Sequence, residues 1–344
     1  MTSTAVGVMM SLLLGAGLPE DGNNIEQMDD TFWRVIIGCP MLLQVASIIS
    51  MITYIKYDSI RYCIAKQNYI EAREMIKQVY DPSERANNII EYIESNSQRD
   101  TSGISIREAM TNPVYKRATF MALAIIIFHE MTGENAILLY STEIFKKMAS
   151  YQDSNNALSP RTGTILIGVF NLLAHIPAIY LIKRLPRRTL LIWGHLIIAG
   201  CHFLVAIFAA GESDTGVIVM MIVYMVTYVV ANGPIIWLYV SEIVVDSALG
   251  ICLFILWAVI LLLSLFTGPL MDSFLRSTGV FLIFSFSSLW GAHFAWKYVK
   301  ETSELSDKEK KLLYTSDNMR AEANLIDEQR LLMRFDSQGT ISLK

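Results

Sequence analysis

A group of ionisable and amide side chains interrupts a long apolar segment of this chain. It comprises His129, Glu130, Gly133, Glu134 and Asn135. Carboxylates and imidazoles can hold and pass a proton, whereas an amide can both donate and accept hydrogen bonds. Ionisable groups at membrane depth cost roughly 2.5–3.5 kcal/mol each on insertion scales and commonly mark ion or proton pathways. The stretch is therefore the first candidate for a functional site.

Two interpretations of the ionisable residues remain open at this stage. Glu130 and Glu134 are four residues apart, so they would share a face of a continuous helix, with His129 beside them. His175 on the next apolar segment would extend this cluster. The pattern is typical of a proton-coupled transporter, but the same side chains would also serve to hydrogen-bond one another or neighbouring helices.

A third interpretation is metal-ion transport, since two imidazoles and two carboxylates are plausible ligands. They are His129, Glu130, Glu134 and His175. Their spacing matches no known metal motif. The four cysteines, scattered along the chain, show no metal or redox spacing. We predict neither a resident metal nor a cofactor.

The composition is that of a membrane protein. Hydrophobic residues make up 53% of the 344 residues and charged residues 17%, against roughly 25% charged in soluble domains. Helical spans of about 20 apolar residues are predicted near 33–54, 118–141, 161–182, 189–210, 216–240, 248–270 and 278–298. A shorter run, Ala5 to Leu18, adds an eighth. The net charge of −4 and the absence of a basic block argue against a nucleic-acid partner, and the partner of the spans is the lipid bilayer.

The connections between the spans are alternately basic and acidic along the chain. Lys and Arg concentrate between the spans 33–54 and 118–141, in the turn 183–188 and after the last span, and these parts are predicted to lie in the cytoplasm. The loops near residues 20–30 and 212–214 are acidic and are predicted to lie outside. The chain is thus predicted to be an integral, multi-pass protein, with the plasma membrane favoured over an organelle.

Gly133 beside polar groups predicts a break in its helix. A break survives at membrane depth only where it lines a cavity or is buried in protein. A sugar offers many hydroxyls that suit amides, and an apolar C–H face that suits an aromatic ring. Asn135, Asn171 and Trp237 supply these groups. A small polyol is therefore a suitable ligand.

Four partial motifs in order resemble the sugar porters of the major facilitator superfamily. Gly133–Ser141 is similar to their seventh-helix pattern Gly-x-Asn-x-x-x-Tyr-Tyr-Ser, and Gly233–Trp237 to Gly-Pro-Ile-Pro-Trp of the tenth helix. The turn 183–188 resembles Glu-Arg-x-Gly-Arg-Arg, and Lys300–Thr302 resembles Pro-Glu-Thr. The resemblance implies transport of a hexose or similar polyol by alternating access, with no enzymatic activity.

The resemblance also implies roles for single residues. Asn135, Asn171 and Trp237 fall on sugar-contacting positions, and His129 and Glu130 fall on two family glutamines. Two positions of the family's eleventh helix complete the implied pocket. Trp257 matches the aromatic residue of the family there, and Leu256 replaces an Asn. Because these replacements change the hydrogen-bonding partners, glucose itself is not assured as the substrate.

The implied fold is an all-α major facilitator fold that corresponds to helices 5 to 12 of the family. The predicted parts are the remnant of an N-terminal half at 1–55, a cytoplasmic helical linker at 56–117, a six-helix C-terminal half at 118–299 and a tail at 300–344. Sugar porters hold their substrate between two six-helix halves. A second copy or a partner would then supply the missing helices, and a non-transporting sensor or vestigial subunit is the alternative.

The basic turn and the tail carry further expectations. Arg187 and Arg188 are predicted to form gating ion pairs with Glu242, unless they serve only as cytoplasmic anchors. The tail from Ser303 is expected to form a surface amphipathic helix or to be disordered.

The linker is predicted to be helical over Ser59–Tyr80 and Pro82–Ser95, with one apolar face packed on the membrane domain. The residues of that face are Ile60, Ile64, Ile70, Met75, Ile76 and Val79. The linker's start, 57–62, resembles the sugar porters' Pro-Glu-Ser-Pro-Arg-Tyr.

Overall fold

The computed structural model describes residues 2–18, 31–54, 59–79, 89–90, 104–149 and 160–320. Most of the predicted segment Pro82–Ser95, residues 57 and 58 of the linker's start, the acidic loop near 20–30 and the tail beyond 320 lie outside these residues. Within them the regular structure is helical, without a strand. The helices are α1 (Thr2–Gly15), α2 (Phe32–Tyr54), α3 (Ile60–Ala65), α4 (Tyr69–Val79), α5 (Ile106–Thr111), α6 (Pro113–Glu130), α7 (Glu134–Ala149), α8 (Pro160–Arg184), α9 (Arg187–Ala210), α10 (Asp214–Thr227), α11 (Gly233–Ile243), α12 (Asp246–Asp272), α13 (Arg276–Tyr298) and α14 (Asp307–Lys311).

The predicted membrane spans are confirmed. In the described part of the chain seven stretches are long and apolar enough to cross a bilayer, namely Phe32–Tyr54, Pro113–Lys146, Arg161–Arg184, Arg187–Ala210, Asp214–Ile243, Asp246–Asp272 and Arg276–Tyr298. The shorter apolar helix Thr4–Gly15 corresponds to the eighth prediction, although it ends before Leu18. Two spans contain interruptions, which bear on the site.

The chain divides into two compact units. The first comprises Met1–Thr101 and Arg161–Leu172, and the second Ser102–Pro160 and Leu173–Lys344. In the first unit α1 lies against the start of α8, where Leu12 contacts the backbone at Gly168 and Arg161 donates a hydrogen bond to the Leu18 carbonyl. None of the residues of α2 is buried.

The linker differs from its prediction. The expected continuous helix from Ser59 is two short helices, because the chain turns at Gln67, whose φ is 59°. A small cluster of its own apolar residues forms instead of one long face, namely Cys63, Ile64, Ala72, Ile76, Ile89 and Ile90, with Ile60 and Met75 against it. The prediction was wrong for Ile70 and Val79, which are exposed. The turn changes the helical phase, so residues on either side of it do not share a face.

The second unit is built around α9, which packs along α13 and against α10. Its main apolar core is formed by side chains from α6, α11 and α12 together with the N-terminal part of α9. At the start of α6 the Asn112 side chain accepts a hydrogen bond from the Val114 N–H at 3.0 Å, and Pro113 occupies the first helical position. This is the favoured way to begin a helix.

The tail also packs into this core, contrary to both expectations for its first part. Only the five residues of α14 are helical between Ser303 and Tyr314, while Leu313 and Tyr314 are buried. The hydroxyls of Tyr314 and Tyr239 form a hydrogen bond of 2.6 Å, and the Tyr314 hydroxyl also accepts a hydrogen bond from the Lys300 N–H at 3.0 Å. These contacts hold the segment after α13 against α11.

The span 113–146 is broken at its centre, as Gly133 predicted. Helix α6 ends at Glu130 and α7 begins at Glu134, and Gly133 has a φ of +84°. A Cβ atom at Gly133 would lie 2.9 Å from the ring of Phe284 on α13. Glycine is therefore required both by the backbone conformation and by the close approach of this ring.

The span 214–243 contains a wider turn. Residues Tyr228–Asn232 form a π-helical segment just before Gly233 and Pro234. Proline has no N–H to donate to the carbonyl four residues earlier, and its ring would collide with that carbonyl. The wider turn relieves the collision and redirects the side chains at its two ends, Tyr228 and Asn232.

We expect Gly133→Ala to destabilise the protein. The positive φ costs a residue with a Cβ about 1–3 kcal/mol, and the clash with Phe284 adds to that cost. Gly200→Ala is the matched control, since a Cβ there meets no atom within 4 Å and alanine favours the helix. Thermal unfolding of the detergent-purified protein measures both. Equal melting temperatures for the two variants would contradict the structure.

Candidate functional site

The break joins two side chains that the sequence singled out. The Nδ2 of Asn135 donates a hydrogen bond to Oε2 of Glu130 at 2.8 Å. Glu130 is 4% exposed. The pair exists because the chain turns between the last residue of α6 and the first turn of α7. The expectation that Glu130 and Glu134 share a helical face was wrong, since the break separates them into two helices.

His129 lies beside this pair and faces the wide turn of the next interrupted span. Its Nε2 is 3.0 Å from the hydroxyl of Tyr228, and the two rings stack with centroids 5.3 Å apart. The same Nε2 lies 3.8 Å from Oε1 of Glu130. Which atom carries the proton depends on the imidazole tautomer.

This arrangement can do acid–base chemistry. His129 and Glu130 are both buried and lie within reach of each other, so a proton on one affects the other. Asn135 provides a donor to the carboxylate and keeps a carbonyl oxygen for another partner. The group formed by His129, Glu130, Asn135 and Tyr228 is called the break cluster below.

The other sugar-contacting candidates lie elsewhere. Asn171 is buried in the first unit. In the second unit Trp237 is partly buried against the apolar core, whereas Trp257 is 66% exposed beside buried Leu256. Their roles at a substrate remain predictions.

The metal-ion interpretation depends on whether its possible ligands lie together. Among the described residues no group of three or more His, Cys, Asp or Glu side chains is arranged to hold a metal ion. At the His129–Glu130 pair the third polar neighbour is the Asn135 amide.

A second polar cluster surrounds Glu242 at the basic end of the second unit. Its carboxylate accepts from Arg187 at 2.9 Å, from Lys310 at 3.0 Å and from the Thr302 hydroxyl at 2.7 Å. The predicted pair of Arg187 with Glu242 is present. Lys310 and Thr302, from the tail, are partners that the sequence did not indicate.

Arg188 behaves differently from its neighbour. Its guanidinium donates to the Trp296 carbonyl at 2.6 Å. Its predicted partner Glu242 is instead shared by Arg187 and Lys310. All of these groups belong to the second unit, so a gating role stays a prediction.

Glu301 closes the start of α9. Its two carboxylate oxygens accept the backbone N–H groups of Arg187 and Arg188 at 3.1 and 2.9 Å. A carboxylate suits the positive end of a helix dipole. Burial alone would raise the pKa of Glu301, but hydrogen bonds from Ser303, Arg188 and Thr302 outweigh it and lower the pKa below its usual value.

The sequence analysis missed several polar residues around the break. Tyr228 faces His129; His195 on α9 pairs with Asn232 at 3.1 Å; and His202 reaches the Thr132 carbonyl at 2.8 Å. The sequence did contain a signal for the two histidines, because His195 and His202 are seven residues apart and so lie on the same side of an apolar helix. A signal for Tyr228 and Asn232 was Pro234, which predicts an irregular turn before it.

The fold and this polar interior define a class of protein. The chain is an integral, multi-pass membrane protein with the major facilitator fold. Its structure superposes on the proton:xylose symporter XylE bound to 6-bromo-6-deoxy-D-glucose with a TM-score of 0.68, at 22% identity, over 89% of this chain and 63% of that one. An inward-open form of XylE from E. coli gives a TM-score of 0.62 at 20% identity, over 89% of this chain and 62% of that one.

The family follows from the sequence comparison. The model of the family "Sugar (and other) transporter" matches residues 2–313, and the chain belongs to this family. It is 25% identical to Hexose transporter 1 of Plasmodium knowlesi, over 86% of this chain and 61% of that protein. It is 27% identical to the Glucose transporter GlcP of Staphylococcus epidermidis, over 78% of this chain and 60% of that protein. The chain thus spans about three fifths of these curated relatives.

We expect Glu301→Gln to lower stability at neutral pH and to matter less in acid. A carboxylate with a lowered pKa stabilises the fold above its ordinary pKa of about 4.5, and this contribution disappears as the pH falls through the lowered value. Melting temperatures of wild type and variant should therefore differ at pH 7 and converge as the pH falls through the lowered pKa of Glu301. Glu304→Gln, an exposed carboxylate three residues away, is the control. A difference that is constant with pH would refute the charged cap.

Proposed function

We propose that this chain takes part in moving a hexose or a similar small polyol across a membrane by alternating access. The observation that carries the proposal is the contact between Asn135 and the buried Glu130 at the helix break. The break brings a carboxylate and an amide together within an apolar span. Such a pair is suited to a ligand that both donates and accepts hydrogen bonds.

The relatives support a sugar as this ligand. They are named as a hexose transporter and a glucose transporter, and a further one is the Galactose-proton symporter of Escherichia coli, 27% identical over 61% of this chain and 45% of that protein. A sugar contact for Asn171, in the first unit, stays a separate prediction. In the second unit we infer a pocket that includes Asn135, Trp237 and Trp257. Its partner helices would come from a part of the carrier that faces this half.

We infer further that transport is coupled to protons through His129 and Glu130. In the sugar-porter pattern two glutamines occupy these positions, and glutamine cannot titrate. Here an imidazole and a carboxylate lie 3.8 Å apart. Protonation of this pair would change the charge beside Asn135, so the affinity for the sugar would depend on the proton.

The remaining expectations complete the proposal. The six spans from Pro113 to Tyr298 would form the C-terminal half of the carrier, and Arg187 and Arg188 with Glu242 would stabilise one of its states. The plasma membrane is the proposed location. The protein would act without enzymatic chemistry.

We expect Asn135→Ala and Trp237→Ala each to raise the KM for sugar uptake about tenfold, because each removes one polar or stacking contact worth about 1.4 kcal/mol. Uptake of radiolabelled hexoses into cells that express the full-length protein measures this effect. Trp193→Ala is the control, since Trp193 is 60% exposed on α9. Unchanged uptake in both site variants would refute the pocket.

We expect the double variant His129→Gln with Glu130→Gln to transport without dependence on pH. Both titrating groups would be gone, while the hydrogen-bonding capacity would remain. Uptake between pH 5 and pH 8 compares it with wild type. His293→Gln, an exposed histidine on α13, should keep the wild-type profile. A pH dependence that survives in the double variant would place the coupling elsewhere.

A further inference from the structure

The helix break leaves backbone carbonyls without hydrogen-bond donors, and lipid cannot supply them. Where α6 stops, the carbonyls of its last turn lose the N–H groups that would continue the helix. An unsatisfied backbone carbonyl in an apolar interior costs several kcal/mol. The break therefore persists only if other groups reach these carbonyls.

Local contacts satisfy three of the carbonyls. The Thr132 N–H and hydroxyl donate to the His129 carbonyl at 3.0 and 2.6 Å, and the Gly133 N–H donates to Glu130 at 3.0 Å. The Ile137 N–H reaches the Gly133 carbonyl at 2.8 Å, which starts α7. The carbonyls of Met131 and Thr132, in the turn between the two helices, receive their donors from other helices.

These two donors come from α9 and α13. The Nε2 of His202 lies 2.8 Å from the Thr132 carbonyl, and the Ser287 hydroxyl donates to the Met131 carbonyl at 3.0 Å. A carbonyl can only accept, so Nε2 of His202 carries the proton. Each of the two carbonyls thus has a donor from a different helix of the same unit.

The surroundings of His202 favour one position for its ring. The side chain is fully buried, with ring centroids of Tyr224, Phe281 and Phe284 at 4.5, 5.8 and 5.7 Å. Phe284 is also the ring that packs against Gly133. One aromatic side chain therefore touches both the donor and the turn that needs it.

We propose that His202 and Ser287 are positioning residues that hold the break and thereby set the geometry of the break cluster. Glu130 is the last residue of α6 and Asn135 is the second of α7, so the two carbonyls held from outside lie between them in the chain. Releasing either carbonyl lets α7 turn relative to α6 and lengthens the contact between Asn135 and Glu130. This role for the site rests on the proposed function.

The test is hydrogen–deuterium exchange at residues 129–139 of the purified full-length protein. Loss of one buried hydrogen bond should raise exchange there about tenfold in His202→Leu and in Ser287→Ala. His202→Gln keeps a donor near the position of Nε2 and should restore slow exchange. His195→Leu is the matched control, because His195 is equally buried on the same helix but bonds to Asn232.

Each outcome decides the proposal. Faster exchange confined to the break in His202→Leu, with rescue by His202→Gln, supports it, and a raised KM for sugar without a matching fall in kcat extends it to the site. Exchange that stays slow, or that rises equally in His195→Leu, overturns it. If His202→Leu fails to fold, Ser287→Ala decides in the same way.

The exchange measurement is independent of transport. A wild-type protein that takes up no sugar, yet shows faster exchange at the break in these variants, would refute the proposed function while leaving the positioning role intact. A transporting wild type whose variants exchange normally would refute the positioning role alone.

Discussion

Lipid offers no hydrogen-bond partner to a peptide group, and this constraint governs the interrupted spans of the molecule. A continuous helix satisfies its own backbone, so it can cross a bilayer without help. In the span 113–146 the helix is interrupted at Met131–Gly133, so its backbone no longer satisfies all of its own hydrogen bonds there. The carbonyls of Met131 and Thr132 then accept hydrogen bonds from α13 and α9, which ties the break to two helices that pack along each other.

The second interrupted span obeys the same constraint in another way. The π-helical turn Tyr228–Asn232 accommodates a proline that cannot donate, and it directs Tyr228 toward His129 and Asn232 toward His195. The two irregular turns thus face each other through side chains rather than through backbone. The interior that results contains three buried histidines, His129, His195 and His202.

At the basic end the polar contacts serve a different purpose. Glu301 supplies acceptors to the first turn of α9, and Glu242 gathers Arg187, Lys310 and Thr302. These groups come from segments that are far apart in sequence. The carboxylates therefore hold the tail and the start of α9 against α11, whereas the pairs near the break connect two interrupted spans.

The sequence by itself determined the features that depend on local composition. The apolar runs predicted the spans, because about 20 such residues suffice to cross the hydrocarbon, and Gly133 predicted the break, because glycine adopts a positive φ without strain. The sequence also indicated His129, Glu130 and Asn135 as a polar group. It misplaced Glu130 and Glu134 on one face, since a helical periodicity argument assumes that the helix continues.

Only the tertiary structure decided which groups meet. The partners of the break are 70 residues away for His202 and 156 residues away for Ser287, and Lys310 reaches Glu242 across 68 residues. No periodicity relates positions so far apart, because their distance in space is set by how helices pack. The same holds for the tail, whose buried Leu313 and Tyr314 depend on a groove that other helices build. Local chemistry thus specifies the helices and their irregularities, and packing selects the contacts that turn these irregularities into a site.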